Sequence, residues 1–298
     1  MIRFDGFGKR FGANVAVRSL TFSVERGEAV ALLGPNGSGK TTSLKAAAGL
    51  IRPTEGKVTI GDPPGDPGVP DARVVCSYLP QKVSFPDALT GADVLEFYRA
   101  IRGAPRGRAA EVLRFSSLNG SSGRAVGTYS GGMLQRLGLA VALLPDAPVL
   151  LLDEPTAALD PDGLCAFYGL VERRRREGHT VLFTSHQLGD VERLADRLIL
   201  LVGGRLAASL TQAELADRLG ARGVMRLSLE SRLAGILEKV RAIAPAACWA
   251  GGDLVVPGPA SDRPRVLDTV RAAGAGIRNL VAQEGRLDEL YRELVERD

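Results

Sequence analysis

The sequence predicts an α/β fold, a parallel sheet flanked by helices, followed by a small α+β domain. Three observations carry this. First, Ala29-Val30-Ala31-Leu32-Leu33 reads as a fully buried strand and runs into the glycine-rich loop Gly34-Pro35-Asn36-Gly37-Ser38-Gly39-Lys40-Thr41-Thr42, after which residues 43–50 are rich in helix formers. Second, further short apolar runs at 149–152 and 180–184 alternate with helical patterns and stop abruptly at polar residues, as parallel strands covered on both faces do. Third, the pattern pauses at 219–223, and beyond it the order becomes βαββαβ plus a terminal helix, which suggests a ferredoxin-like unit over 224–298.

In chain order, residues 2–4 and 20–24 alternate apolar and polar as half-buried strands, with Gly6, Gly8 and Gly12 punctuating turns between them. Phe11 falls in this loop signal; its flat ring suits stacking on an adenine base as well as ordinary packing. Residues 56–60 read as a strand, 62–71 with four prolines and two glycines as a surface loop, and 74–79 as a strand ending at Pro80-Gln81. Thr90 with Asp93 makes a capping pair for a helix whose stripe is Val94, Leu95, Phe97, Tyr98 and Ile101. Residues 103–128 read poorly, with one short helix expected near 108–114. Tyr129-Ser130-Gly131-Gly132-Met133 opens a helix to about Leu144, where Pro145 is a stop signal. A helix over 162–177 ends in Arg173-Arg174-Arg175-Arg176; basic residues suit a helix C-terminus, and a solvated face is expected for them. Strand 180–184 leads to Ser185-His186, a helix over 187–195 and a strand at 197–202, which turns at Gly203-Gly204. In the last unit, 224–229 reads as a strand, 231–243 and 261–273 as helices, 277–281 as a strand and 288–295 as a helix.

Composition bounds the function. At 298 residues, 45% apolar and 24% charged, the chain has room for one large or two ordinary domains. The net charge of +4 lies entirely before residue 224, because 224–298 carries eleven basic and eleven acidic residues. So mild an excess is poor evidence for nucleic-acid binding, and none is expected. Cys76, Cys165 and Cys248 are far apart and odd in number, which suits a reducing compartment with the thiols packed as small apolar groups. Two histidines, His179 and His186, argue against a structural metal site. No secretory leader is expected, and no run approaches the roughly 18 apolar residues of a membrane span. If the protein acts at a membrane, another chain must cross it.

The chemistry is that of a triphosphate. The glycine loop can turn backbone N–H groups inward around phosphates at a helix N-terminus, with Lys40 reaching the β- and γ-phosphates and the Thr41 hydroxyl ligating Mg²⁺. Hydrolysis also needs a metal-holding carboxylate, a group that polarises water and a γ-phosphate sensor. Asp153 ends a buried strand and suits the first role. Glu154, on the opposite side of the pleat, suits the second. His186, past the next strand, can donate to the γ-phosphate, and Gln81 can offer an amide to metal or water.

These residues together resemble the ATP-binding-cassette (ABC) ATPases, over nearly all of residues 1–220. Gly34 to Thr42 looks like the Walker A loop, 150–155 like Walker B, Gln81 like the Q-loop glutamine, and Tyr129 to Met133 like the signature sequence. Leu159-Asp160 looks like the D-loop, His186 like the switch histidine and Phe11 like the adenine-stacking aromatic. The resemblance implies a P-loop domain over 1–220 with a RecA-like core, an antiparallel β subdomain and a helical subdomain at about 82–145. It implies ATP and Mg²⁺ as cofactors, with Thr41, Gln81 and Asp153 at the metal. It also implies a head-to-tail homodimer in which Ser130, Gly131 and Gly132 meet the γ-phosphate bound to the opposite copy. The signature begins with Tyr129 where leucine is common and ends with Met133 where glutamine is common. Ala157 replaces the usual D-loop serine, so weaker hydrogen bonding at the rim is expected.

The single cassette and the close of the chain, Glu284 to Tyr291, are similar to ATPases that serve separate export permeases of the ABC-2 type. Residues 77–86 further resemble ATPases linked to copper or sulfur delivery in nitrous oxide reductase maturation. The expected protein is thus an ATP-hydrolysing subunit on the cytoplasmic face of the inner membrane, peripheral through a permease helix received by 82–102, where Phe85, Leu89 and Leu95 are candidate groove residues. The alternative is a non-transport ABC ATPase whose 224–298 unit regulates or binds nucleic acid.

Overall fold

The computed structural model describes residues 1–70, 74–118 and 120–296. Asp71 at the end of the expected 62–71 loop, Asn119, and residues 297–298 of the last unit lie outside these. The chain divides into two compact units, Met1–Ser209 and a second from Leu210 onward.

The first unit is built on a six-stranded sheet of order β5-β6-β7-β3-β8-β9, comprising β3 (Ala29–Leu33), β5 (Cys76–Leu79), β6 (Val149–Leu152), β7 (Thr180–Thr184), β8 (Arg197–Val202) and β9 (Arg205–Thr211). Strands β5, β6, β7, β3 and β8 pair in parallel, so their C-terminal ends lie along one edge of the sheet. Every residue of β3, β6 and β7 is buried, which is why these strands read as unbroken apolar runs rather than as alternation.

A second sheet of order β2-β1-β4 joins β1 (Ile2–Phe11), β2 (Asn14–Val24) and β4 (Glu55–Ile60), all antiparallel. Here the sequence reading is corrected. Residues 5–11 and 14–19 are strand, not loop, and the chain reverses only at Gly12-Ala13. Register shifts between Phe4 and Arg10 break the alternation, which hides the long hairpin from a periodicity reading. Phe4 stacks on Phe22 with centroids 4.5 Å apart, and both join Phe7, Val30, Leu32, Leu44 and Ile199 in one core between the two sheets.

Helix α1 (Lys40–Ala47) follows β3 through the glycine loop. Helix α2 (Gly91–Ile101) carries the capping box read from sequence: Asp93 N–H donates to Thr90 Oγ1 at 3.1 Å and Thr90 N–H to Asp93 Oδ2 at 3.0 Å. Helix α3 (Arg106–Phe115) is slightly longer than expected, and α4 (Gly131–Leu143) is capped by the Ser130 hydroxyl. Helix α5 (Pro161–Arg176) is capped by Asp160, and α6 (Leu188–Leu194) follows His186. The arginines closing α5 are not a uniformly solvated face. Arg174 is buried against Asp146 and Glu177, Arg175 pairs with Asp196 and Arg176 with Glu172. The thiols also differ from expectation: Cys76 is buried, but Cys165 is exposed on α5.

The second unit begins earlier than the pause at 219–223 suggests. Helix α7 (Gln212–Gly220) belongs to it, started by a capping box between Thr211 and Glu214 that the sequence carries openly. Leu219 accepts from Gly285 N–H at 2.9 Å, and Arg222 pairs with Glu293, which holds α7 beside α10 (Leu287–Glu296). Strands β10 (Val224–Leu229), β11 (Cys248–Ala250), β12 (Asp253–Pro257) and β13 (Ile277–Gln283) form an antiparallel sheet of order β11-β12-β10-β13. With α8 (Ile236–Arg241) after β10 and α9 (Arg263–Ala272) after β12, this is the ferredoxin-like arrangement. Helix α8 is only six residues long; it starts after Gly235, so the helix expected from 231 is corrected. Met225, Leu227, Leu254 and Val256 of the sheet pack on Ile236, Val240, Val266 and Val270 of the two helices.

Candidate active site

The glycine loop sits at the C-terminal end of β3, where open α/β sheets place ligands. Its backbone admits only glycine at the start. Gly34 has φ +149°, and a Cβ there would fall 2.1 Å from the Leu201 carbonyl oxygen. Lys40 Nζ donates to the carbonyls of Gly34 at 2.7 Å and Pro35 at 3.1 Å, so the ammonium is held inside the loop. Burial lowers its pKa, opposed by the charges of Glu154 and Asp153. Ser38 Oγ is buried and has no hydrogen-bond partner among the described residues. A buried hydroxyl left over in the loop before the N-terminus of α1 fits a phosphate oxygen. Asn36 and Gly37 form the exposed tip, and Thr42 lies on the first turn of α1.

Asp153, directly after β6, is fully buried and collects hydroxyls. Thr41 Oγ1 donates to its Oδ1 at 3.2 Å, Thr184 Oγ1 to the same oxygen at 2.7 Å, and Tyr78 Oη approaches Oδ2 at 3.5 Å. Burial, then the Asp153 charge, holds the Tyr78 phenol well above its ordinary value. One carboxylate beside one helix-borne hydroxyl is the small protein share of a Mg²⁺ shell whose other ligands are phosphate and water. The residues therefore fit MgATP.

Glu154 has φ +48°, an uncommon conformation for a side-chain-bearing residue. Two contacts hold it. Its N–H donates to Thr184 Oγ1 at 2.8 Å, and its own carbonyl and that of Pro155 accept from Gln135 Nε2 of α4 at 3.4 and 3.3 Å. This turn directs the carboxylate toward His186, whose Nδ1 lies 3.4 Å from Glu154 Oε2. The imidazole side chain is 59% exposed and the carboxylate 16%, so the pair faces the open edge of the site. Glu154, expected to polarise water, and His186, expected to touch a terminal phosphate, are thus brought side by side.

The sequence reading overlooked Thr184, Tyr78 and a buried hub around Asp190. Thr156 Oγ1 and Ser185 Oγ both donate to Asp190 Oδ2 at 2.6 Å, and Tyr168 Oη to Oδ1 at 2.7 Å. Burial first, then this hydrogen bond, pushes the Tyr168 phenol up to about 12. Asp190 thus ties the segment after Glu154 to the residue before His186. The available signal was hydroxyl residues abutting the expected catalytic positions at the ends of apolar strands.

Five predicted residues stand apart. Gln81 is exposed just past β5, with no hydrogen bond to Asp153 or Glu154 among the described residues. Phe11 ends β1 half-exposed, with Lys9 Nζ 5.0 Å from its ring centroid. Ser130 and Gly131 are exposed at the N-terminus of α4. Gly132 is required by a close approach, since a Cβ there would lie 2.7 Å from the Ala158 carbonyl oxygen. Arg136 of α4 pairs with Asp160, which caps α5 through Gly163 N–H at 2.9 Å, so the signature helix and the 157–160 turn are fastened together.

Comparison with known proteins agrees with this geometry. The ABC transporter family profile matches residues 17–157. The linearmycin resistance ATP-binding protein LnrL of Bacillus subtilis is 31% identical over 82% of this chain and 80% of its own length. The daunorubicin resistance ATP-binding protein DrrA3 of Streptomyces coeruleorubidus is 34% identical over 98% of this chain and 95% of its own. Among solved structures, the ATP-binding subunit of an ABC transporter superposes with TM-score 0.68 at 27% identity, covering 74% of this chain and 93% of that one. A dimeric ATP-binding cassette in a post-hydrolysis state with ADP and Pi superposes with TM-score 0.65 at 27% identity, covering 71% and 99%. No helix among the described residues is long and apolar enough to cross a membrane. Its relatives and its phosphate loop together show that the chain belongs to the ABC transporter family, as an ATP-binding, ATP-hydrolysing subunit.

Proposed function

We propose that two copies of this chain close head to tail on two MgATP molecules and drive a separate ABC-2-type export permease from the cytoplasmic face of the inner membrane. The exposed N-terminus of α4 carries the reading. It presents Ser130 and Gly131 to solvent, where a Cβ on Gly131 would meet nothing within 4 Å, and the helix is 13 residues long. Such an end favours an anion, and in this reading the anion is the γ-phosphate on the facing copy's Lys40 loop. Lys40, Ser38 and Thr41 hold the triphosphate and its Mg²⁺ with Asp153 and Gln81, Glu154 polarises the attacking water, and His186 contacts the γ-phosphate.

An exposed apolar strip on α2 supports the permease contact. Phe97 and Ile101 are exposed, and Tyr98 bridges Phe97 and Phe85 at centroid distances of 5.4 and 6.1 Å. Leu89 is also open, whereas Leu95 is fully buried and leaves the list of groove candidates. Relatives named for linearmycin and daunorubicin resistance support a cargo of that kind. A link to nitrous oxide reductase maturation, suggested by residues 77–86, would keep the same energy-supplying role and change only the cargo.

The test is Glu154→Gln with ATP and Mg²⁺ in sedimentation. Association tighter than that of the nucleotide-free chain, with the gain lost when Mg²⁺ is chelated, is expected; a variant turning ATP over at the wild-type rate removes Glu154 from its role. Phe97→Asp with Ile101→Asp should abolish co-purification with the permease while leaving ATP binding intact.

A further inference from the structure

The last strand of the second unit is left open. Among the described residues β13 (Ile277–Gln283) pairs on one side only, with β10, and every residue from Arg278 to Gln283 is exposed. Leu280 and Ala282 lie opposite Leu227 and Met225, which are buried under α8 and α9, so they share the core face of the sheet. Leu280 is nevertheless 42% exposed, and Val281 on the other face is 41% exposed. The helical layer stops short of β13. The register on β10 slips at Arg278, the single ionised residue of the strand, but from Asn279 to Gln283 the edge is regular and uncharged.

We infer that β13 is a homodimer interface, pairing antiparallel with β13 of a second copy to join the two ferredoxin-like sheets. Keeping both helical layers on one side of the joined sheet requires a two-fold axis perpendicular to it, passing beside one residue. With the axis at Val281, Val281 faces itself, Leu280 faces Ala282 and Asn279 faces Gln283. Within this regular stretch apolar residues meet apolar and amide meets amide. An axis at Leu280 instead sets Val281 against Asn279 and brings Ala282 against the irregular position Arg278. Self-complementarity in one register selects a second copy as the occupant.

The full-length chain without nucleotide tests this independently of ATP-driven closure. In a Cys165→Ser, Cys248→Ser background, Val281→Cys is expected to form an intermolecular disulfide rapidly on mild oxidation, because directly opposed Cβ atoms lie about 4.5–5.5 Å apart. Leu280→Cys should cross-link more slowly, its own copy being a diagonal neighbour at about 7–8 Å. Val281→Lys sets like charges opposite and should weaken the nucleotide-free dimer about tenfold or more in sedimentation, whereas Val281→Thr keeps the branched pair and the dimer. If Val281→Cys cross-links no faster than Asp268→Cys on the exposed side of α9, or Val281→Lys leaves self-association unchanged, the interface is overturned.

Discussion

Thr184→Val isolates the hydroxyl that holds the catalytic turn. Thr184 is fully buried, and its Oγ1 donates to Asp153 at 2.7 Å while accepting from Glu154 N–H at 2.8 Å. Valine keeps the shape but removes both bonds, leaving a buried N–H and a carboxylate oxygen each short of a partner. A bond to a neutral group contributes about 0.5–1.5 kcal/mol and one to a charged group about 1.5–3. Added apolar burial offsets roughly 0.8 kcal/mol. The net loss is therefore about 1–4 kcal/mol, with a midpoint of about 2.5, read as a shifted urea midpoint at unchanged slope. Because the same hydroxyl holds Glu154 at φ +48°, part of the loss falls on catalysis. If half does, kcat drops about tenfold, at roughly 1.4 kcal/mol per decade, while ATP affinity is preserved by Lys40 and the loop. Thr184→Ser retains the hydroxyl and should keep kcat while losing about 1 kcal/mol of stability for the methyl. The reasoning fails if Thr184→Val matches wild type in kcat, or if the serine variant loses as much activity as the valine.

Lys40→Ala should abolish ATP binding by equilibrium dialysis; normal kinetics would contradict the phosphate-loop assignment. Phe11→Ala removes an exposed ring whose stacking on a base is worth about 1–3 kcal/mol, so ATP affinity should fall at least about fivefold with thermal stability unchanged; equal affinity would take Phe11 out of the site. Gly132→Ala brings a methyl to 2.7 Å from the Ala158 carbonyl, and should lower ATPase activity by shifting the 157–160 turn while leaving monomeric nucleotide binding near wild type. Loss of nucleotide binding in that variant would mean the damage is to the fold rather than to the turn.

Much of the first unit was legible because its chemistry depends on local sequence. The glycine loop, Asp153-Glu154 and His186 each follow a buried strand, and a strand's end fixes where its next residue emerges. The long hairpin of β1 and β2 was not legible, because its register shifts between Phe4 and Arg10 erase the two-residue period. Arg174 read as solvated because a run of four arginines carries no sign that Asp146, 28 residues earlier, closes over one of them. Helix α7 carries its Thr211 and Glu214 capping box in the sequence, but Gly220 and Gly223 just beyond it are the stronger boundary signal and draw the division past it.

By itself the sequence determined the residue types suited to a triphosphate, their order along the chain, and the alternation that sets the ferredoxin-like topology, all being properties of neighbours in sequence. Tertiary structure alone decided which hydroxyls meet Asp153, that Thr184 fixes the backbone of Glu154, that Asp190 links the two catalytic segments, and that β13 is left uncovered. Each of these depends on side chains far apart in the chain being brought within about 3 Å, or on a layer of helices ending one strand too soon, and hydrogen-bond geometry and burial exist only once the chain has closed on itself.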